Sequence, residues 1–263
     1  GKAFEGKGKG HRGGLASLSG VLGISEDDLR VALKSGESVN DVAERLGVGI
    51  DALVANAVAE MAAKGYKLTG VDLSQPMLDY LDRRLRRRGL SAELRCEDMT
   101  EMQFDEAFDA AFCTFNTFRH LTDEQAALRH LRNVASLLRP GGLYILGLHL
   151  IPLDADPECT ERWKAKHGGT TVHVTLKVID FDRKKRREML RVSVKAEKKS
   201  GSVERIRSEF PLRIYTPAQA KKLLAKVSDV FEIAGIYDFD YDIDEEREFD
   251  NDLTDALFVL KRR

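Results

Sequence analysis

Apolar residues change their spacing at residue 65. From Leu15 to Lys64 they recur every three or four positions, the period of a helix with one buried face. This stretch also carries helix punctuation, with Ser25 and Ser38 placed as N-caps and Gly36 as a C-terminal stop. Nothing before residue 65 reads as a strand. After Gly65, the short apolar runs "YKLTGVDL", "AELRCEDM", "FDAAFCTF" and "GGLYILGLHL" alternate with helical stretches, which predicts a parallel sheet with crossover helices. From about residue 151 the period becomes two in "TTVHVTLKVIDFD", "REMLRVSVKAEKK" and "VERIRSEFPLRIY", as in antiparallel strands with one wet face. "TPAQAKKLLAKV" then predicts a helix capped by Thr216 with Pro217 in its first turn, and "FEIAGIYDF" and "DALFVLKR" return to the sheet. The expected organisation is a Gly- and Lys-rich disordered arm at 1–14, a helical segment at 15–64, an α/β domain at 65–150 and 212–263, and an antiparallel insertion at 151–211.

Composition narrows the function classes. Of 263 residues, 43% are hydrophobic, enough for a real core, and 42 basic residues against 43 acidic give a formal charge of -1. That balance argues against wholesale binding to nucleic acid or to an anionic membrane. The stretch "SVNDVAERLGVGIDALVANAV" has helix-turn-helix spacing, with Ala43 in the first helix, Gly47 at the turn and Leu53 inward. Its second helix nevertheless offers no Arg or Lys before Lys64, so no phosphate-binding surface is expected there. The runs "RRLRRRG" and "DRKKRRE" read as solvated surface, offset by the acidic "DFDYDIDEEREFDND". No apolar run approaches the roughly 20 residues of a membrane helix, and no secretory leader is apparent, so the cytoplasm is the expected compartment. Cys96, Cys113 and Cys159 are odd in number and far apart, which predicts free thiols and no zinc site.

Asp72 carries the first chemical signal, because "GYKLTGVDLSQPMLDYL" is a short buried strand that ends on an acid and turns into a helix. At the carboxyl end of a strand in an open α/β sheet, such an acid can accept hydrogen bonds from both hydroxyls of a ribose; it can equally cap the helix that follows. The order of "GYKLTGVDLSQPMLDYLDRRL", "CEDMTEM", "FDAAFCTFNTFRHL" and "LLRPGGLYILGL" resembles that of the class I S-adenosylmethionine-dependent methyltransferases. The resemblance implies a Rossmann-like, mainly parallel sheet with an antiparallel, substrate-covering insertion, preceded here by an all-helical segment. It implies S-adenosylmethionine as cofactor and a small molecule as methyl acceptor. Carried over by residue, it puts Asp72 on the ribose hydroxyls, Leu73 against the adenine, Asp98 on the adenine amino group and Met99 beside the ring. Phe115 and Asn116 fall near the methionine part and the methyl group. His149, ending the "YILGLHL" strand, is the expected base, and Tyr215 is expected to orient the acceptor.

One departure accompanies the match. A strand, an acid and a glycine-rich loop are expected upstream of "GYKLTGVD", where backbone N–H groups receive the methionine end of the cofactor. The residues there are "RLGVGIDALVANAVAEMAAK", whose Gly47 and Gly49 follow a helical pattern. The expectation is therefore a methyltransferase body whose first strand is exchanged for a helical segment, with methyl transfer weakened. Two other readings stay open at this point: a non-catalytic scaffold of the same fold, and an NAD-type dinucleotide-binding dehydrogenase sharing the ribose acid. Against the latter, no G-x-G-x-x-G precedes Asp72.

Overall fold

The computed structural model describes residues 50–263, apart from 115, 153, 156–158, 168, 240 and 241, together with 25, 27, 28 and 31. The arm at 1–14, Gly36 and Ser38 lie outside the described residues. The Ser25 hydroxyl accepts the Asp28 N–H at 3.1 Å, the N-cap role that its position predicts. The chain divides into two compact units, Gly1–Leu68 with Tyr80–Glu93, and Thr69–Asp79 with Leu94–Arg263.

In the first unit, helix α1 spans Ile50–Ala63 and stops at Gly65. Gly65 adopts φ +86°, its N–H reaches the Ala62 carbonyl, and Tyr66 N–H reaches that of Met61, so a left-handed cap satisfies the last carbonyls. Helix α2, Gln75–Arg87, ends identically at Gly89, with φ +68° and bonds to the Arg86 and Leu85 carbonyls. Arg84, Arg86 and Arg87 occupy its last turn, where cations complement the helix dipole. Ala59 and Leu85 are buried, and Arg88 pairs with Glu60 at 2.7 Å.

The second unit holds the sheets. Strands β1 (Thr69–Asp72) and β2 (Glu93–Cys96) form a two-stranded sheet. Strands β3 (Phe108–Cys113) and β4 (Leu138–His149) pair in parallel, joined through helix α3 (Glu124–Leu137). The "RPGG" stretch, Arg139–Gly142, lies early in β4 where its pairing with β3 shifts register; Gly141 has φ +79°, and a Cβ at Gly142 would stand 2.9 Å from the Arg139 carbonyl oxygen, so the chain turns so tightly only on glycine. Strands β5 (Thr160–His167), β6 (Thr170–Asp182), β7 (Arg187–Lys198) and β8 (Val203–Arg213) make the antiparallel insertion in simple meander order. Helix α4, Pro217–Ala225, carries a full capping box between Thr216 and Gln219, as its sequence predicts. Strands β9 (Phe231–Tyr237) and β10 (Asp255–Arg262) complete a sheet of order β3-β4-β10-β9, in which β10 runs against both neighbours.

The expected sheet is thus modified in two ways. Three strands of the larger sheet share a direction, while the last strand in sequence is reversed between β4 and β9. Among the described residues, β1 and β2 do not join that sheet, and β3 is its edge, leaving Phe112 48% exposed. The opposite face is well covered: Leu131 and Val134 of α3 and Leu223 of α4 pack with Tyr144, Leu146, Phe258 and Leu260 of the central strands.

Candidate functional site

The two acids after β1 and β2 share one local geometry. Asp72 Oδ1 accepts the Ser74 N–H at 2.7 Å, and Asp98 Oδ1 accepts the Thr100 N–H at 2.7 Å. Acid, apolar residue and hydroxyl residue recur in the same order, and each acid closes a turn on the residue two positions on. Asp72 thus closes a turn just ahead of α2, and Ser74, whose carbonyl accepts the Met77 and Leu78 N–H groups, occupies the N-cap position. The bond engages one oxygen of each carboxylate, and both residues are exposed. The Thr100 N–H bond, first among the causes, holds the Asp98 carboxyl below its ordinary value of 3.8 and so keeps it an anionic acceptor. Leu73, beside Asp72, is 73% exposed.

A buried partner fixes the second of these turns to the larger sheet. His130 Nδ1 donates to the Met99 carbonyl at 2.8 Å, and its Nε2 accepts the Tyr144 hydroxyl at 2.7 Å, which assigns the neutral Nδ1–H tautomer. Burial lowers the His130 pKa and raises that of Tyr144. Met99 thus packs half-buried against the core, whereas Leu73 projects outward. Burial and the Arg119 charge lower the His120 pKa, with Asp72 opposing them, in the 3-10 turn Thr117–His120 that follows β3.

At the carboxyl end of β3 and β4 four side chains converge. Asn116 sits in the left-handed region at φ 65°, a conformation Asn tolerates, and its Oδ1 accepts the His149 N–H at 2.8 Å. His149 Nδ1 bonds the Asp255 carboxylate, directly opposite in the β4-β10 register. Phe239 meets the imidazole edge-on at 5.1 Å. Both members of the His149–Asp255 pair are 43% exposed in their side chains, so the imidazole is held on one side and open to solvent on another. Beside them lies a small cavity of about 150 Å³ lined by Asp238, Phe239, Arg247 and Asp255 among others, with Asp238 and Arg247 paired at 2.7 Å. An oriented histidine next to a hollow is suited to accept a proton.

The other expected site residues are placed less favourably. Phe115 lies outside the described residues. Tyr215, expected to orient an acceptor, is instead 1% exposed: its ring packs against Phe118, and burial pushes its hydroxyl pKa up to about 12. Its hydroxyl has no partner among the described residues, so it faces the core and not the sheet edge. Sequence reading missed Asp255 and Phe239. Asp255 was legible as the start of a strand, but only the antiparallel register sets it opposite His149. Among the described residues no cluster of His, Cys, Asp and Glu could hold a metal ion, and no helix is long and apolar enough to cross a membrane.

The donor set fits the adenosine end of a nucleoside cofactor. Ribose hydroxyls and an exocyclic amine are donors and need exposed acceptors, which Asp72 and Asp98 supply; a flat base needs apolar surface, which Leu73 supplies. A family described as "Methyltransferase domain" matches residues 46–142, a span that includes Gly47, Gly49, α1, both acids and Asn116. Glycine N-methyltransferase of Rattus norvegicus is 33% identical over 113 residues, 38% of this chain and 36% of its own; the chain thus spans little more than a third of that relative. An S-adenosylmethionine-dependent methyltransferase from Clostridium acetobutylicum superposes with a TM-score of 0.63 at 17% identity, over 78% of this chain and 79% of its own. The sugar N-methyltransferase KedS8 from Streptoalloteichus superposes with a TM-score of 0.62 at 18% identity, over 100% of this chain and 97% of its own. The match to the methyltransferase-domain family thus runs through both acids, and the two solved methyltransferases share the fold of this chain.

Proposed function

We propose that this chain transfers a methyl group from S-adenosylmethionine to an amino nitrogen of a small molecule. The observation that carries this is the His149–Asp255 pair, anchored through Asn116 at the carboxyl end of β3 and β4. The cofactor supplies an electrophilic sulfonium methyl when bound. Asp72 and Asp98 hold its ribose and adenine, with Leu73 and Met99 against the base. An amine arrives mostly as its ammonium form and must lose a proton to become a nucleophile. His149 takes that proton at Nε2, while Asp255 holds Nδ1–H and stabilises the imidazolium that forms. With Asp238 paired to Arg247, Asp255 and the ring of Phe239 give the adjacent cavity its surface for a cationic acceptor. The amine class is supported further by relatives whose names specify glycine and sugar nitrogen as methyl acceptors. A cytoplasmic setting suits the three free thiols.

The methionine end of the cofactor is held less well than the adenosine end. The matched sequence offers only Gly47 and Gly49 before α1 begins at Ile50, fewer than a glycine-rich loop that lets a charged group approach the backbone closely. The test is methyl transfer from S-adenosylmethionine to glycine and to a panel of amino sugars, followed by product mass. His149→Ala lowers kcat by about 10²-fold or more, with cofactor affinity unchanged. An unchanged kcat in that variant would remove His149 from the mechanism, and cofactor binding without turnover on any amine would favour a non-catalytic scaffold.

A further inference from the structure

The Asp98 turn is held through one peptide group. The Thr100 N–H that bonds Asp98 Oδ1 at 2.7 Å and the Met99 carbonyl that accepts from His130 Nδ1 at 2.8 Å are the two ends of the same planar unit. A donor on the oxygen end therefore fixes the plane, and with it the direction in which the nitrogen end holds the carboxylate. Behind the imidazole stands another donor, the Tyr144 hydroxyl, 2.7 Å from Nε2. Tyr144 O–H, His130 Nδ1–H and Thr100 N–H thus form a series that points one way, toward Asp98, and hydrogen bonds aligned in series polarise one another. His130 is 3% exposed and Tyr144 1%, and the Phe118 ring lies 5.6 Å from the imidazole, so packing immobilises the inner end of the series. Its outer end, Asp98, is exposed. The Asp72 turn repeats the construction with a weaker donor: Ser74 N–H, bonded to Asp72, shares its peptide with the Leu73 carbonyl, which accepts from Cys96 Sγ at 3.4 Å. Cys96 is exposed, so the recurrence follows the acids and not the packing of the core.

We propose that His130 is a positioning residue for the cofactor, which acts through the Met99–Thr100 peptide to aim the Asp98 carboxylate at the exocyclic amine of the adenine. This rests on the placing of the adenine at Asp98 in the proposed function. An exposed carboxylate that is already aimed loses less freedom when the base arrives, so the tether strengthens binding without touching the ligand. The imidazole does this only as the neutral Nδ1–H tautomer, which the Tyr144 hydroxyl selects by donating to Nε2. Met99 and His130 lie 31 residues apart, on the turn after β2 and on α3, so the bond also carries the order of the core out to the sheet edge.

Two replacements separate the two bonds of the imidazole. Asn places its amide nitrogen near the Nδ1 position and keeps a donor to Met99, whereas Gln reaches the Nε2 position and keeps only the partner of Tyr144. Both leave unfilled space in the core, so both lower stability. By calorimetric titration of the full chain, His130→Gln raises the dissociation constant of adenosine about tenfold, while His130→Asn stays within about twofold of the wild type. In an amide proton–nitrogen correlation spectrum the Thr100 proton moves upfield in His130→Gln and returns in His130→Asn, because its bond to Asp98 weakens only in the former. Should both variants fail to fold, Tyr144→Phe, which leaves His130 and the turn in place, must still raise the constant by about twofold or more. Equal affinities in the Gln and Asn variants, a Thr100 shift with no change in adenosine affinity, or wild-type affinity in Tyr144→Phe overturns the proposal. Asp98→Ala distinguishes this from the reading beneath it: unchanged adenosine affinity there removes the adenine site itself, and the proposal with it, whereas a loss there beside wild-type affinity in His130→Gln removes only the role of His130.

Discussion

Tyr215 and His130 show how little a residue's type reveals before its neighbours are known. Tyr215 follows strand β8 in a stretch where an acceptor could lie, yet its hydroxyl is buried without a partner among the described residues, and such a group costs about 1–3 kcal/mol. Tyr215→Phe should therefore leave kcat unchanged and hold or raise the denaturation midpoint; a fall in kcat with stability intact would return the hydroxyl to the acceptor. His130 reads as an ordinary histidine but is a buried neutral link between Met99 and Tyr144. Burial lowers its pKa in the folded chain below the ordinary 6.5. Below that value the unfolded chain binds the extra proton first, so stability is full above about pH 6.5 and falls as the pH drops through it. Thermal melts from pH 7 to 5 should show this loss, and His130→Gln should lose less over the same interval. The paired acids were legible as positions after strands. Their shared turn geometry follows from backbone N–H groups two residues on, which a sequence indicates only through the recurrence of Ser74 and Thr100.

Between elements, one buried ion pair joins the insertion to the sheet it rises from. Arg119, in the turn after β3, pairs with Glu188 at the start of β7 and donates through Nε to the Arg213 carbonyl at 2.8 Å; Arg213 in turn donates to the Thr122 carbonyl at 2.7 Å. Arg119 and Glu188 are almost wholly buried, so removing one leaves the other charged without compensation. Glu188→Ala should cost about 3–5 kcal/mol in urea denaturation and Glu188→Gln clearly less. Equal losses in the two variants would mean that shape and not charge holds the junction. The strands, the α4 capping box and the "RPGG" turn early in β4 were all readable, since each depends on local period or on residues within one turn. The ion pair was not. It joins positions 69 residues apart, and "DRKKRRE" gave every sign of a wet hairpin tip.

For the whole molecule, the proposed cofactor site is uneven: on that reading Asp72 and Asp98 hold the adenosine end, while the sequence before α1 offers only Gly47 and Gly49 toward the methionine end, where each hydrogen bond forgone to a charged group is worth about 1.5–3 kcal/mol. Calorimetric titration should show S-adenosylmethionine binding little tighter than adenosine, since every 1.4 kcal/mol absent is a tenfold loss. Micromolar or tighter binding of S-adenosylmethionine would overturn this. The sequence by itself determined the α/β class, the antiparallel insertion and the positions of both acids, of Asn116 and of His149, because strand period, helix caps and strand-ending residues are written locally. Only the tertiary structure decided that Asp255 faces His149, that Tyr215 turns inward, and that β1 and β2 stand apart from the sheet headed by β3. Each of these depends on which distant strands pair and in what register, and a one-residue shift in register turns a side chain from one face of a sheet to the other.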